Sequence, residues 1–251
     1  MDLAGKVAFV TGGSGDVGAA VSRALAAAGA DVALSYIGNT DGVTRTVDAV
    51  QELGGQALAV QLDQRDPAAI ETAARRVVDH FGRVDILVNN AAWNIGIPFK
   101  DLDALTADVW DRVLETNLRG PFLLARALAP HLREHGCGRV VNIASIGGVY
   151  PMSSSIAYSA SKAGLIHLTR CLAVALAPDV TVNCVAPGLI EGTRMAKRLP
   201  AEVVDAAREQ VVLGRTASIV DIAEHVVTFC RAESVTGQVM VIDGGGPGCM
   251  R

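Results

Sequence analysis

Thr11-Gly12-Gly13-Ser14-Gly15-Asp16-Val17-Gly18 joins the first predicted strand, Lys6–Val10, to a helical pattern at residues 17–29. Glycines at such a junction let the backbone approach a ligand closely, and the first helical turn offers N–H groups without intrahelical partners. The pattern favours binding of a dinucleotide through its pyrophosphate, with a plain glycine-rich turn as the alternative. The residues assigned to this ligand are Gly12, Ser14, Asp16, Val17 and Gly18. The Asp16 carboxylate suits the helix dipole, but it would repel a phosphate if it turned inward.

Short runs rich in Val, Ile and Leu alternate with helical patterns along the whole chain. The predicted strands are Lys6–Val10, Val32–Tyr36, Ala57–Leu62, Ile86–Asn89, Arg139–Ala144, Thr181–Val185 and Gln238–Ile242. The predicted helices cover 17–29, 42–53, 67–81, 104–134, 158–177 and 201–231, the last broken around 214–218. This alternation predicts an α/β fold: a doubly wound, seven-stranded parallel sheet with helices on both faces, Rossmann-like, in a single domain over residues 1–251.

Composition excludes several classes of protein. The chain has 251 residues, 50% of them hydrophobic, and a formal net charge of −4, which leaves no basic surface for nucleic acid or an anionic membrane. No apolar leader is predicted at the amino terminus, and the five cysteines are scattered without a CxxC pair, so we expect a cytoplasmic protein. His131 and His135 fit an HxxEH spacing but end a helix before Gly136, so no metal site is predicted.

Residues suited to ligand binding recur where the predicted strands end. Because the carboxyl ends of parallel strands form one edge of an open α/β sheet, we expect these residues to meet at a common ligand site. They are Tyr36 after strand two, Asp63 after strand three, Asn89 and Ala91 at strand four, Ser145 after strand five, and Pro187 and Gly188 after strand six.

Tyr158 and Lys162 lie four residues apart on a predicted helix and therefore share one face. A phenolate useful near neutral pH needs its pKa lowered by about 3 units from its usual 10, which a neighbouring ammonium and a cationic nicotinamide would favour. The alternative is an ordinary solvated pair on a helix surface. Ser145 and Asn117 favour the catalytic interpretation.

The ordered set of motifs resembles the short-chain dehydrogenase/reductase family over nearly the whole chain. The resemblance implies that Ser145, Tyr158, Lys162 and Asn117 are catalytic. It further implies coenzyme contacts from Asp63, Asn89, Ala91, Tyr158, Lys162, Pro187, Gly188, Ile190 and Thr193. Residues 236–245 resemble the family's carboxyl-terminal signature. The chain departs from the family pattern in four ways. Asp16 and Ala92 replace glycines, and Gly15 stands where many relatives that use NADP carry a basic residue. Thr193 lies one residue later than the family's threonine, with Gly192 in its place.

The resemblance implies an NAD(P)(H)-dependent oxidoreductase that transfers hydride between nicotinamide and a medium-sized ketone or secondary alcohol. Tyr158 would act as general acid or base, Ser145 would bind the reacting oxygen, and Lys162 would lower the Tyr158 pKa. Asn117 would steady Lys162. An alternative is a 3-oxoacyl-carrier-protein reductase, although Val174 replaces an arginine that such enzymes often place there for the carrier. A non-catalytic dinucleotide-sensing regulator is a further alternative.

The end of strand two favours NADP over NAD. Position 36 carries a tyrosine rather than the acid that would accept a hydrogen bond from the ribose 2′-hydroxyl of NAD. The nearby Ser35, Asn39 and Thr40 could donate hydrogen bonds to the 2′-phosphate of NADP. Like its relatives, the protein is expected to form a homo-oligomer, a dimer or tetramer. Leucines of the helices at 104–134 and 158–177, with the segment 244–251, would form the contact.

Overall fold

The strands of the protein form one parallel sheet in the computed structural model, which describes residues 1–151, 153–246 and 248. They are β1 (Val7–Val10), β2 (Asp31–Tyr36), β3 (Ala57–Gln61), β4 (Ile86–Asn89), β5 (Gly138–Ile143), β6 (Val180–Pro187) and β7 (Val239–Ile242). Their order across the sheet is β3-β2-β1-β4-β5-β6-β7. The predicted seven-stranded, doubly wound parallel sheet is confirmed.

Helices connect these strands. They are α1 (Asp16–Ala27), α2 (Thr40–Glu52), α3 (Pro67–Phe81), α4 (Ala107–Leu114), α5 (Gly120–Arg133), α6 (Ile156–Leu176), α7 (Ala201–Gln210) and α8 (Ile219–Arg231). A π-helical segment, Glu115–Arg119, joins α4 to α5, and short 3₁₀ turns occupy Ile146–Gly148 and Ala196–Arg198.

The alternation of side chains along the strands builds a core on each face of the sheet. In β1, Ala8 and Val10 pack with α1, α2 and α8, whereas Phe9 between them packs with α3, α5 and α6. Strands buried on both faces have nearly continuous apolar sequences, as the sequence here does. The sheet is therefore a rigid platform whose carboxyl edge can hold polar groups.

The strand order reverses between β1 and β4, which defines the crevice of a doubly wound sheet. After β1 the chain turns toward α1 on one side of this crevice. After β4 it continues into the loop of residues 90–106 on the other side. The Thr11 amide donates to the Val88 carbonyl oxygen at 3.0 Å, so the two exits are tied together at the start of the crevice.

Several predicted boundaries differ from the structure. The helix expected at 104–134 begins at Ala107 and contains the π-helical segment, and the one expected at 201–231 is two helices separated by residues 211–218. Helix α6 begins at Ile156, two residues early, because the Ser155 side chain caps it. Pro187 ends β6 rather than following it.

The leucines expected to form an assembly surface do not lie on the surface. Leu123, Leu124, Leu128, Leu165, Leu172 and Leu176 are buried inside the protomer, and Leu168 is partly buried. They fill the space between the sheet and its own helices, so the apolar character of α5 and α6 follows from the fold. Cys249 and most of the last residues of segment 244–251 lie outside the described residues.

Candidate active site

The glycine-rich turn is held against the residues that follow β4. Thr11 Oγ1 accepts hydrogen bonds from the Asn90 and Ala91 amides, both at 3.0 Å, and Asn90 Nδ2 donates to the Thr11 carbonyl oxygen at 2.8 Å. Gly12 has a φ of +66°, which favours glycine, and a Cβ at Gly18 would overlap the Gly12 carbonyl oxygen. The predicted roles of these two glycines in shaping the turn thus have a steric basis.

The amino terminus of α1 carries no side-chain cap, although α2, α3 and α6 are each capped by a side chain. The first backbone N–H groups of a helix have no intrahelical partners, so those of Asp16, Val17 and Gly18 remain available to a ligand. Together with the dipole of α1, these amides fit a pyrophosphate at the predicted position.

Asp16 turns toward a different part of the chain. Its Oδ2 accepts a hydrogen bond from the Arg194 amide at 2.8 Å and lies 3.7 Å from the Arg194 guanidinium Nε. The carboxylate that replaces a glycine of the turn is therefore compensated by a cation.

The polar residues near the end of β2 are already engaged. Ser35 is buried, and its hydroxyl accepts from the Gly12 amide at 3.1 Å. Asn39 donates to the Ser14 carbonyl oxygen at 2.8 Å and accepts from the Gly42 amide to cap α2. Both side chains therefore help to shape the turn, and the expectation that Ser35 and Asn39 donate to a phosphate stays a prediction. Tyr36 is the last residue of β2 and is half-buried beside it.

Asp63 follows β3 at the same edge and is held by a neighbouring arginine. Arg65 Nη2 donates to Asp63 Oδ2 at 2.6 Å, and Arg65 Nε donates to Oδ1 at 3.0 Å. The Arg65 guanidinium lowers the pKa of the Asp63 carboxyl below its usual value, so Asp63 remains an acceptor throughout the physiological range.

Asn89 has a structural role that the sequence did not indicate. Its side chain is buried in the sheet and donates to Asn142 Oδ1 at 2.9 Å, and Asn142 in turn donates to Thr169. The Asn89 side chain is therefore held within the sheet, and the adenine or ribose contact of Asn89 stays a prediction. Asn90, which the prediction passed over, holds the turn, and the Asn-Asn pair after a buried strand was the available signal. The Ala91 carbonyl oxygen accepts from Gln64 at 3.1 Å.

Ser145, Tyr158 and Lys162 come together beneath the end of β5. Ser145 follows β5, and its hydroxyl accepts from the Gly147 amide at 3.1 Å. Tyr158 is 8% exposed and Lys162 2% exposed, both on the buried face of α6. Lys162 Nζ lies 5.6 Å from the Tyr158 ring centroid and donates to the Ile143 carbonyl oxygen at 2.8 Å. The structure therefore gathers the three side chains that the sequence singled out.

Burial is the main cause of the shifted pKa values of Tyr158 and Lys162. It raises the pKa of Tyr158 to about 12, and a hydrogen bond with the Ser145 side chain offsets part of that rise. It also lowers the pKa of Lys162 to about 8. The expected lowering of the Tyr158 pKa is therefore absent from the coenzyme-free protein, in which Tyr158 is a neutral phenol that can donate a proton.

Asn117 lies in the π-helical segment and is fully buried. Its Oδ1 accepts from the Trp93 amide at 2.8 Å, and its Nδ2 donates to the Trp93 carbonyl oxygen at 2.9 Å and to Ser161 Oγ at 3.1 Å. Asn117 thus fixes the chain after β4 to the face of α6 that carries Lys162, rather than contacting the lysine itself.

The segment after β6 closes the other side of the crevice. Gly188 is required because a Cβ there would lie 2.8 Å from Asp243 Cβ. Ile190 forms an isolated bridge with Ala217, and its carbonyl oxygen accepts from Thr193 Oγ1 at 2.8 Å. Pro187 and these three residues therefore lie together, as expected, while the Thr193 hydroxyl is used within its own turn.

Two negative findings apply to the described part of the chain. Residues 1–151, 153–246 and 248 contain no group of three His, Cys, Asp or Glu side chains placed to hold a metal ion. Over the same residues, each helix is too short or too polar to cross a membrane.

Comparison with known proteins identifies the family. The sequence pattern of the family described as "short chain dehydrogenase" matches residues 6–203. The chain belongs to the short-chain dehydrogenase/reductase family. It is accordingly an NAD(P)-dependent oxidoreductase.

Relatives of similar length support this assignment. The 3-oxoacyl-acyl-carrier-protein reductase of Thermotoga maritima is 35% identical over 250 residues, which cover 98% of this chain and 99% of the relative. A short-chain dehydrogenase from Burkholderia cenocepacia in complex with NADP is 38% identical, with a TM-score of 0.90, and the match covers 98% of this chain and 99% of that one. An NAD⁺-bound xylitol dehydrogenase is 29% identical, with a TM-score of 0.91 over 98% of this chain and 100% of that one.

Proposed function

We propose that this short-chain dehydrogenase/reductase reduces a medium-sized ketone, or oxidises the corresponding secondary alcohol, with Tyr158 as general acid or base. The observation that carries the proposal is the cluster in which the half-buried Ser145 hydrogen-bonds the buried Tyr158, with the buried Lys162 on the same face of α6. A regulator that only sensed a dinucleotide would have no need of a buried proton donor.

Each residue of the cluster has a distinct task. The bound nicotinamide supplies or accepts the hydride. The neutral Tyr158 phenol donates its proton to the substrate oxygen during reduction, and the Ser145 hydroxyl hydrogen-bonds that oxygen as negative charge develops. A Lys162 ammonium close to the phenol favours the phenolate left behind. Asn117 keeps the segment after β4 in register with α6.

NADP is the proposed coenzyme, with NAD as the alternative. Tyr36 stands where an acid would accept from the ribose 2′-hydroxyl and repel a 2′-phosphate. The variant Tyr36→Asp should lower kcat/KM for NADPH far more than for NADH. A wild-type protein that is already faster with NADH at equal concentrations would contradict the NADP assignment.

The substrate is proposed to lie between three segments, 93–98, 146–151 and 189–199. The Ile97 amide donates to the Ser154 carbonyl oxygen at 2.8 Å, which ties the first segment to the chain just before α6. The Arg112 guanidinium covers the Trp93 ring at 4.2 Å from its centroid. These walls combine apolar side chains with isolated polar ones, which suits a partly apolar carbonyl compound.

A β-ketoacyl thioester is the second candidate substrate, because a relative of nearly the same length is named as a 3-oxoacyl-acyl-carrier-protein reductase. Val174 weighs against a large acidic carrier, since this apolar residue is exposed on α6 where such enzymes often place an arginine. A panel of cyclic ketones, sugars and β-ketoacyl thioesters, each with NADPH and NADH, would rank these classes by kcat/KM.

The decisive test of the mechanism is Tyr158→Phe. Loss of the hydroxyl should lower kcat by about 10²-fold or more, the usual contribution of a general acid. The dissociation constants of NADPH and NADH, measured by calorimetry, should stay within about twofold because the turn and α1 are untouched. Near-full turnover by the variant would show that Tyr158 is not the proton donor.

A further inference from the structure

Arg194 reaches from the loop after β6 to the glycine-rich turn. Its guanidinium Nη2 donates to the Ser14 carbonyl oxygen at 3.3 Å, while its backbone amide and Nε are directed at the Asp16 carboxylate. Ser14 and Asp16 flank Gly15, the cap residue of α1. The arginine is therefore held directly over the uncapped amino terminus that fits a pyrophosphate.

The guanidinium occupies the space in front of Gly15. A Cβ at Gly15 would lie 3.2 Å from the Gly12 carbonyl oxygen and 3.5 Å from Arg194 Nη2, so the guanidinium is within contact distance of position 15. A cation from a distant segment consequently lies beside position 15, where many relatives that use NADP carry a basic residue.

The contacts of Arg194 are too weak for a purely structural role. Its side chain is 57% exposed, and exposed ion pairs contribute about 0–1 kcal/mol to stability. Of the five N–H donors of a guanidinium, only the one directed at Ser14 has a hydrogen-bond partner among the residues that the structure describes. The remaining donors can bind a ligand.

The surroundings are positively charged. Ser14, Gly15 and Asp16 line a cavity of about 440 Å³ together with Arg23 of α1 and Arg45 of α2. Within the described residues, neither of these two arginines forms an ion pair. The acids at the cavity are compensated, since Asp16 faces Arg194 and Glu191 pairs with Arg208 at 2.6 Å. Such a site favours an anion.

We propose that Arg194 binds a phosphate group of the nicotinamide coenzyme, with its backbone held beside the turn by the hydrogen bond to Asp16. Guanidinium groups bind phosphate oxygens through paired, charge-assisted hydrogen bonds, which the free donors of Arg194 can supply. The proposal rests on the NAD(P) dependence of the protein and not on the identity of its carbonyl substrate. The phosphate is either the pyrophosphate, which NAD and NADP share, or the 2′-phosphate of NADP.

Coenzyme binding without substrate tests the proposal. Isothermal titrations of NADPH and NADH into the wild type, Arg194→Gln and Asp16→Asn give dissociation constants that do not depend on turnover. Arg126→Gln is the matched control, because Arg126 is 56% exposed, pairs with one carboxylate, Glu71, and lies on the opposite face of the sheet.

We expect Arg194→Gln to weaken coenzyme binding by about tenfold, a change of about 1.4 kcal/mol. Weaker binding of NADPH alone assigns the contact to the 2′-phosphate, and equal weakening of both coenzymes assigns it to the pyrophosphate. Asp16→Asn should bind coenzyme as well as the wild type or more tightly, because the asparagine oxygen can still accept from the Arg194 amide while a negative charge is removed.

Two results would overturn the proposal. One is that Arg194→Gln binds both coenzymes within about twofold of the wild type and of Arg126→Gln. The other is that Asp16→Asn weakens binding as much as Arg194→Gln, which would assign the effect to the tether between loop and turn. Failure of the proposed carbonyl chemistry would instead appear as intact coenzyme binding without turnover of any ketone tested.

Discussion

Lys162, a residue of the proposed active site, lowers the stability of the folded protein. The side chain is almost fully buried, and burial lowers its pKa from 10.5 to about 8. The shift corresponds to about 3 kcal/mol that the folded protein loses by carrying the ammonium below pH 8. The hydrogen bond to the Ile143 carbonyl oxygen recovers part of this loss.

We therefore predict that Lys162→Met stabilises the coenzyme-free protein at pH 7 by about 2 kcal/mol, while its turnover is lost. The gain should shrink as pH rises from 8 toward 10.5, because wild-type Lys162 then becomes neutral in the folded state before it does so in the unfolded chain. Urea unfolding of both proteins at pH 7 and pH 10 measures the difference.

The exposed residue Lys100 provides a control for this prediction. Lys100→Met should leave the free energy of unfolding within about 0.5 kcal/mol of the wild type at both pH values. A stability gain of Lys162→Met that stayed constant or grew between pH 7 and pH 10 would contradict the assigned burial of the charge.

At the scale of elements, the π-helical segment between α4 and α5 has a clear consequence. Single-turn π segments inside helices are rare in proteins, and those that occur often lie at functional sites. Here the segment places the Asn117 side-chain amide against the Trp93 backbone. The amide accepts from the Trp93 N–H and donates to the Trp93 carbonyl oxygen, as the backbone of a neighbouring strand would. The element thus joins the loop after β4 to the helix that carries Tyr158 and Lys162.

We predict that Asn117→Ala lowers the free energy of unfolding by about 2–4 kcal/mol, because buried groups of Trp93 and Ser161 lose their partners. Turnover should fall as well, because the loop after β4 would no longer be held in place against α6. Chemical unfolding gives the first value and steady-state kinetics the second. Asn94→Ala in the same loop is the control for stability and should change it by no more than about 0.5 kcal/mol. An Asn117→Ala protein as stable as this control would show that the clamp on Trp93 is not needed for folding.

At the scale of the whole molecule, we expect copies of the protein to associate through the outer surface of α5 and α6. With most leucines of these helices buried, the large apolar side chains exposed on them are Phe122, 42% exposed, and Val174, 82% exposed. They are the candidates for contact with a second copy in the expected homo-oligomer.

We predict that light scattering at micromolar concentration gives two or four times the protomer mass of 26.0 kDa. Phe122→Arg should shift this mass downward, because a cation in an apolar contact is costly to desolvate. Leu53→Arg, at an exposed site beside the other edge of the sheet, should leave the mass unchanged. A monomeric mass for the wild type would contradict the prediction.

The sequence by itself determined the order of strands and helices, the coenzyme turn and the residues of the candidate active site. These features depend on local patterns: apolar runs bounded by turns, glycines at fixed spacing, and side chains four residues apart on one helix. Ser145, Tyr158 and Lys162 could be named because their order and spacing resemble the family's catalytic residues.

Only the tertiary structure decided what several side chains do. Asn89 lies against Asn142, 53 positions away, Ser35 accepts from the turn, and Arg194 meets Asp16 across 178 positions. Such pairings follow from how the sheet brings distant segments together, which no local pattern records. The same holds for the pKa values of Tyr158 and Lys162, since desolvation depends on everything that packs around the group.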